Sequence, residues 1–316
     1  MPSRRRSRLQ NTAYLYFDAV ARFGSLRRAA EELSVAASAI SHQIGLLEEE
    51  FGTPLFERGA HGVRLTSAGE GLLYHTRRAA FEIERGQAFV EGLRGRAIGS
   101  TSLVATEGIV LGPLIGRLAS FWKTYPDIRL TILTGTHDQA LTLLEAGEVE
   151  LGIGYVDPLP GRAKALAVAQ LRVGAIIRAD HQLAARKSTS IRELIESGLT
   201  LLMTDSSASL GPNIERAVGE QQLRLARRLK TNSLTALNRL ALDGSGAAIK
   251  TRIGIDVELR AGTLAFIPLR DLGATRANLT LFARRDVPLT PMGELFANTL
   301  KEMIHQLDEK PSRSDI

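Results

Sequence analysis

The chain has 316 residues and no cysteine. That absence excludes a disulfide scaffold, a thiol nucleophile, thiolate zinc sites and iron–sulfur clusters. No run approaches the ~18 consecutive apolar residues that a membrane-spanning helix requires. The six histidines, at 42, 61, 75, 137, 181 and 305, show no metal-ligand spacing. Gly152-x-Gly154 and Gly244-x-Gly246 lack the third glycine of a dinucleotide fingerprint. Gly112–Gly116 is not followed by the Lys-Ser/Thr of a phosphate loop, and Ser206-Ser207-Ala208-Ser209 is not a nucleophile elbow. The expectation is therefore a protein that is not an enzyme, with no catalytic residue, metal or cofactor. Lysine is missing from residues 1–96, where 14 arginines face 11 acidic side chains. The rest of the chain holds 26 basic and 23 acidic side chains, so both parts net +3 and the excess per residue is about twice as high in the first third.

What is present is an ordinary globular composition, 44% hydrophobic and 23% charged, over a length that favours about two domains. The net charge of +6 admits a nucleic-acid partner. Ser3–Arg8 carries four arginines and reads as a flexible basic arm. Asp18 and Arg22 interrupt the apolar stretch behind it, so it does not read as a secretion signal and a cytoplasmic protein is expected.

Tyr14, Leu15, Phe17, Ala19, Val20 and Phe23 recur at helical spacing, and Gly24 ends that helix. Ser25 is placed to cap a second, short helix over Leu26–Leu33, with Ala29, Ala30 and Leu33 inward. Ser34-Val35 reads as a turn. A third helix is expected from about Ala36 to Glu50, with Ala36, Ala39, Ile40, Ile44 and Leu47 inward. Its outer face carries Ser38, Ser41, His42 and Gly45. Two helices joined tightly, the second with a short polar outer face, suit a helix-turn-helix as well as a plain three-helix bundle. Thr53–Arg58 and Val63–Thr66 flank a glycine-bearing turn and read as a β-hairpin wing, with Arg58 and Arg64 beside the turn. Arginine there suits phosphates or a narrow minor groove, and equally a surface pair with Glu57.

These residues carry a resemblance. FDAVARFGSLRRAAEEL (17–33), AISHQI (39–44), LEEEFGTPLFER (47–58) and LTSAGE (65–70) together resemble the DNA-binding domain of LysR-type transcriptional regulators. The resemblance implies a winged helix-turn-helix over 1–66 whose third helix enters the major groove of double-stranded DNA. It implies that Ser38, Ser41, His42 and Gln43 face bases, that Arg58 and Arg64 serve the wing, and that Ser25 and Arg27 reach the DNA backbone. Ala36-Ala37-Ser38 stands where the family often has a polar pair and a proline, and His42 where arginine or threonine is usual.

Ser67 and Glu70 fit a capping box opening a helix that runs to about Gly92 or Leu93. Leu72, Leu73, Ala79, Ala80, Ile83 and Val90 form a broken apolar seam along it. The resemblance implies that residues 67–96 are a linker helix and hinge through which two copies pair, as a dimer or within a tetramer.

Beyond it, short β-runs alternate with helical runs. Leu103–Ala105, Ile128–Leu133, Glu150–Tyr155, Val168–Ile177, Leu199–Met203 and Ala247–Ile249 read as strands. Leu111–Tyr125, Ala140–Glu145, Ile191–Ser197, Pro212–Gln222 and Leu234–Leu242 read as helices. This rhythm argues for open, mainly parallel sheets in two lobes. Phe121–Leu133 and LEAGEVEL (144–151) resemble the family's sensor, which implies a two-lobed, periplasmic-binding-protein-like effector domain over 97–316. Lys250-Thr251 replaces the proline with which the family usually follows its glycine turn. Ligands of such sheets bind beyond the carboxyl ends of the strands. Those ends give Thr106, Glu107, Gly135, Thr136, Tyr155, Ser206, Ser207 and Lys250 as effector candidates. Hydroxyl donors at Thr106, Thr136 and Ser206 with the charge of Lys250 point to a small carboxylate, although each residue also reads as an ordinary cap or loop group. The expected fold is thus α/β with a helix-rich winged head, and the expected function is effector-responsive transcriptional regulation, with RNA polymerase a further partner if the protein activates. The competing reading is a solute-binding module whose N-terminal helices serve only assembly.

Overall fold

The computed structural model describes residues 12–59, 62–93, 99–156, 158–204, 228–272 and 276–308. The chain divides into two compact units, residues 1–94 with 146–148, and residues 95–145 with 149–316. The basic arm, the predicted helix at 212–222, Ser206 and Ser207 lie outside the described residues.

The first unit begins with α1 (Thr12–Phe23), α2 (Leu26–Leu33) and α3 (Ala37–Phe51). Ser25 caps α2 by accepting a hydrogen bond from the Arg28 amide. The helix ends at Ser34, which adopts the left-handed conformation (φ 55°). There the Val35 amide bonds the Ala30 carbonyl and the Ser34 amide bonds that of Glu31, a Schellman closure that turns the chain into α3. Tyr16, Ala19, Val20, Ala29, Ala30, Ile40 and Ile44 form one core cluster. Small alanines on α2 let the helices approach closely.

Two expectations about α3 need correction. It starts one residue later than expected, with Ala36 as its N-cap, and Ala36 and Ala39 are exposed. All of residues 36–39 are exposed, so the first turn projects beyond the core that Ile40, Ile44 and Leu47 fill.

Strands β1 (Phe56–Gly59) and β2 (Gly62–Leu65) pair antiparallel, with Phe56 opposite Leu65 and Glu57 opposite Arg64. The first strand is shorter than expected, because Thr53–Leu55 is occupied by the turn that leaves α3. The Val63 amide bonds the Gly24 carbonyl at 2.9 Å, and a Cβ on Gly62 would collide with that oxygen. Glycine at 62 is what allows the hairpin to seat on the end of α1. Helix α4 (Ser67–Leu93) follows. Its cap is Thr66, not Ser67: Thr66 Oγ1 accepts from the Gly69 amide at 3.1 Å and donates to the Pro54 carbonyl at 2.8 Å. The second bond joins α4 to the chain before the wing, which the Ser67 hydroxyl does not do.

The second unit holds two five-stranded sheets. Lobe one comprises β3 (Ser100–Ala105), β4 (Arg129–Thr134), β5 (Leu151–Tyr155), β6 (Ala163–Arg172) and β12 (Arg276–Arg284), in the order β4-β3-β5-β12-β6. Lobe two comprises β7 (Gly174–Arg178), β8 (Thr200–Thr204), β9 (Arg228–Thr231), β10 (Gly246–Lys250) and β11 (Leu264–Pro268), in the order β11-β7-β10-β8-β9. Each sheet has three mutually parallel strands extended by an antiparallel pair. The expected single strand over Val168–Ile177 is therefore two. Val173 separates them, and there the chain crosses from one lobe to the other. It crosses back between β11 and β12. A continuous apolar run does not reveal such a crossing, since both strands are apolar.

Alternation along the strands sorts the layers. Leu103 and Ala105 face α6 (Pro113–Thr124) and the terminal helix α11 (Pro291–Leu307), while Val104 faces α7 (His137–Ala146). In lobe two, Ala247 and Ile249 face α8 (Ile191–Glu196), and Ala248 faces α9 (Leu234–Asp243) and α10 (Asp256–Ala261). The helix expected over Leu111–Tyr125 begins instead at Pro113, as α6, because Gly112 separates it from a short helix that was not expected, α5 (Glu107–Leu111). Proline at 113 opens the second piece, where its missing amide hydrogen costs nothing. Glu150, buried at the head of β5, accepts from Thr101 Oγ1, Thr290 N and Thr290 Oγ1, and so ties the start of α11 to the sheet.

Candidate functional site

The first candidate surface is the outer face of α3. Ser38, Ser41 and His42 are all exposed, and Gln43 is half-buried at its edge. Because Ile40, Ile44 and Leu47 hold the opposite face in the core, the helix cannot rotate without exposing them. The polar side is thus presented to solvent by the packing of the apolar one. Ser and His offer donors and acceptors of the kind that base edges can pair with, and the exposed small residues 36–39 leave the backbone room for a close approach.

The flanks are basic. Arg27 is exposed on α2 and pairs loosely with Glu31, four residues on, at 3.2 Å. Arg22 and Arg28 lie over the Phe23 ring at 5.2 and 5.9 Å. Ser25 accepts from an amide as a cap, which leaves its own hydroxyl hydrogen free to donate. Arg64 is exposed on β2 opposite Glu57 across the hairpin, and Arg58 lies on β1 opposite Val63. One functional support is missed by sequence reasoning. Glu48, on α3, accepts from the Leu55 amide at 2.8 Å and the Phe56 amide at 3.1 Å, and so fixes the wing relative to α3. Its signal is weak, since Glu48 belongs to a run of three glutamates of which only one turns back.

The second candidate site lies where the lobes face each other. Thr106 N bonds the Ile153 carbonyl at 3.2 Å, which sets residue 106 at the ends of β3 and β5. Its hydroxyl makes no cap bond, and its Oγ1 is buried without a hydrogen-bond partner. Glu107 is occupied: Oε2 accepts from the Leu234 amide at 2.9 Å and Oε1 from Thr235 Oγ1 at 2.7 Å, both on α9 of lobe two. Tyr155 bridges the lobes as well, with its hydroxyl 2.7 Å from Thr251 Oγ1. Thr136 and Gln139 cap each other at the start of α7, through Thr136 N to Gln139 Oε1 at 2.9 Å and Gln139 N to Thr136 Oγ1 at 3.3 Å. Gly135 leaves the space that the Gln139 side chain takes.

Lys250 is 5% exposed, and Nζ donates to the Ile253 carbonyl at 2.8 Å. Burial pulls its pKa down from 10.5 to about 7, against the opposing fields of Asp256, Glu258 and Glu107. Of the described candidates, then, Thr106 has an unused hydroxyl, Lys250 holds an incompletely bonded amine, and Glu107, Thr136 and Tyr155 are engaged within the protein. The surface cavity of about 350 Å³ lined by Arg178, His181, Leu199 and Gly244 lies at the opposite ends of the lobe-two strands, away from these residues.

Among the described residues no helix is long and apolar enough to cross a membrane, and no cluster of three or more His, Asp or Glu is arranged to hold a metal ion.

Residues 12–70 match the family model described as the bacterial regulatory helix-turn-helix protein, lysR family, and residues 94–304 match the LysR substrate binding domain. The RuBisCO operon transcriptional regulator of Allochromatium vinosum is 27% identical over 281 residues, covering 89% of this chain and 91% of the relative. The HTH-type transcriptional regulator CbbR of Rhodospirillum rubrum is 26% identical over 286 residues, covering 90% and 93%. Among solved structures, CbnR, a LysR family transcriptional regulator, superposes with a TM-score of 0.66 at 19% identity, over 96% of this chain and all of that one. A full-length OxyR variant from Pseudomonas aeruginosa gives 0.68 at 18%, over 97% and 99%. The reading of the N-terminal helices as a mere assembly device gives way, because they match a DNA-binding family over their whole length. The chain belongs to the LysR family of transcriptional regulators, with a helix-turn-helix head and an effector-binding domain.

Proposed function

We propose that α3 docks in the major groove with Ser38, Ser41, His42 and Gln43 at base edges. Arg58 and Arg64 on the wing, with Ser25 and Arg27 on α2, hold the phosphates. The observation that carries this reading is the row of exposed polar side chains at 38, 41 and 42 over a buried Ile40–Ile44–Leu47 ridge. Two heads, joined through α4, read half-sites about one helical turn or a multiple apart. In the cleft the effector is a small carboxylate. The unused Thr106 hydroxyl donates to it, and Lys250 supplies positive charge, with Gly135, Thr136 and Tyr155 around it; Ser206 and Ser207, outside the described residues, stay candidates from the sequence alone. Ligand acts by binding two lobe arrangements unequally, which changes the angle between the heads. The protein acts in the cytoplasm, and as an activator it would also engage RNA polymerase.

Footprinting on the promoter beside its own gene, with and without a panel of small carboxylates, tests both halves. Paired protected half-sites whose spacing or bend changes with one compound are expected. A footprint that no carboxylate alters would overturn the anionic effector, and no sequence-specific footprint at all would overturn the placement of α3.

A further inference from the structure

The two lobes of the effector domain meet where α5 of lobe one approaches α9 and the turn after β10 of lobe two. Glu107 reaches across to cap α9: its carboxylate takes the Leu234 amide and the Thr235 hydroxyl, two donors at the first turn of a ten-residue helix. The backbones also approach closely. Gly254 has φ +81°, and a Cβ there would lie 2.9 Å from the Gly108 Cα and 3.1 Å from the Gly108 carbonyl oxygen. A Cβ on Gly112 would lie 2.9 Å from Asp256 Oδ2 and 3.2 Å from the Gly254 Cα. Glycine on both sides therefore brings residue 107 within reach of α9. Ser233, the N-cap of α9, already bonds the Ala236 amide, so Glu107 takes donors the helix's own cap leaves.

We propose that Glu107 is an interlobe strap: by capping α9 from the opposite lobe it holds the lobes in the arrangement seen here, and it passes occupancy of the cleft at Thr106 to lobe two. This rests on the effector reading only for its second half. The reasoning is geometric. Thr106, whose buried hydroxyl has no partner, immediately precedes the strap. A ligand group that bonds this hydroxyl moves or fixes residue 106, and the adjoining carboxylate must then tighten on α9 or release it. Glu107 is thus a positioning residue rather than a contact to the ligand. A carboxylate is suited to this place, because it is an acceptor with charge opposite to the amide end of α9.

The absence of cysteine makes the test direct. Lys123→Cys and Lys187→Cys, both exposed and one on each lobe, accept spin labels, and the full-length protein is diluted with unlabelled chain so that only distances within one chain are read. Without ligand, a single narrow interlobe distance is expected. Glu107→Ala should add a second, longer population, Thr235→Val a smaller shift in the same direction, and Glu107→Gln, which keeps an acceptor for Leu234 N, should restore most of the single distance. An unchanged distribution in Glu107→Ala overturns the strap. If that variant does not fold, an unchanged distribution in Thr235→Val overturns it equally. Acetate, benzoate and succinate are then added to the labelled parent. A strap that fails without ligand condemns this proposal alone, while an intact strap with no response to any of the three counts against its role as a relay and against the carboxylate effector.

Discussion

At the residue scale, the proposed docking divides the chemistry between side chains that read bases and side chains that hold the backbone. Ser41 stands on α3 with its side chain exposed, whereas Arg64 stands on the wing opposite Glu57. Ser41→Ala should shift preference at one base position, by about 1 kcal/mol, with little change in salt dependence. Arg64→Ala should weaken binding to all sequences alike and lower the salt slope by about 1. Gel shifts on a set of single-base operator variants at several salt concentrations separate the two; identical behaviour would remove the division of roles. Lys250 makes a different point. A buried amine with a pKa near 7 in the folded protein and 10.5 when exposed costs stability. Between those values the unfolded chain binds more protons, so the cost is full below about pH 7 and disappears as pH rises toward 10.5. Lys250→Met should therefore raise the melting temperature at pH 6–7, by an amount corresponding to a few kcal/mol, since each tenfold loss of proton affinity is worth about 1.4 kcal/mol. The gain should shrink steadily toward pH 10. A gain independent of pH would show that packing and not charge is responsible.

At the element scale, apolar spacing and helix caps are what the sequence makes legible. Helix α2 is legible to its ends because Ser25 and Ser34 bracket a short run with an alanine face. The start of α4 is legible to within a residue, but its cap is not, since Thr66 and Ser67 are both good caps and only the distant Pro54 carbonyl chooses between them. Likewise the outer face of α3 follows from its inner ridge. In contrast, Glu107 reads as a ligand contact, and its engagement by α9 depends on a partner more than 120 residues away. Strands β11 and β12 and helix α11 escape a reading by local pattern, although they complete both lobes. Glu193 shows how such long-range partners stabilise an element. It closes the capping box of α8 with Ser190, and also accepts from Arg186, Arg270 and Thr189. The hydrogen bond from Arg270 leads the causes that hold its pKa at about 2 instead of 4.5. A depressed carboxylate stabilises the fold above its unfolded pKa, so this contribution is full above about pH 4.5 and fades as pH falls toward 2. The melting temperature of Glu193→Gln should thus lie below that of the parent by a constant margin at pH 5–7, closing in more acid solution. A margin that persists at pH 2.5 would assign the stabilisation to hydrogen bonding and not to charge.

At the scale of the whole molecule, the proposed reading of two half-sites calls for an element that joins two heads, and α4 has the length and the partly uncovered seam for it. It is 27 residues long, about 40 Å at 1.5 Å per residue. A helix this long normally buries an apolar stripe. Here Gly69 is the sole buried position among its described side chains, at the end where Leu72 and Leu73 meet the first core. Farther along, Ile83 is half-exposed and Val90 is 51% exposed. Contact with the head reaches as far as Arg77, which pairs with Asp18 of α1 at 2.7 Å, and leaves the turns beyond it with little apolar cover, although isolated helices are marginal in water. Pairing of two α4 helices would cover the seam and set the distance between heads. Changing Ile83 and Val90 to aspartate places charge in that seam without touching the head's core. The double variant should sediment mainly as monomer at micromolar concentration, keep a normal melting transition for the effector domain, and bind an isolated half-site nearly as the parent does. On a full operator its affinity should fall by more than tenfold, because the second head no longer binds at the effective concentration that pairing provides. If the variant remains a dimer and keeps full-operator affinity, then α4 is not the pairing element and the heads must be joined through the effector domains.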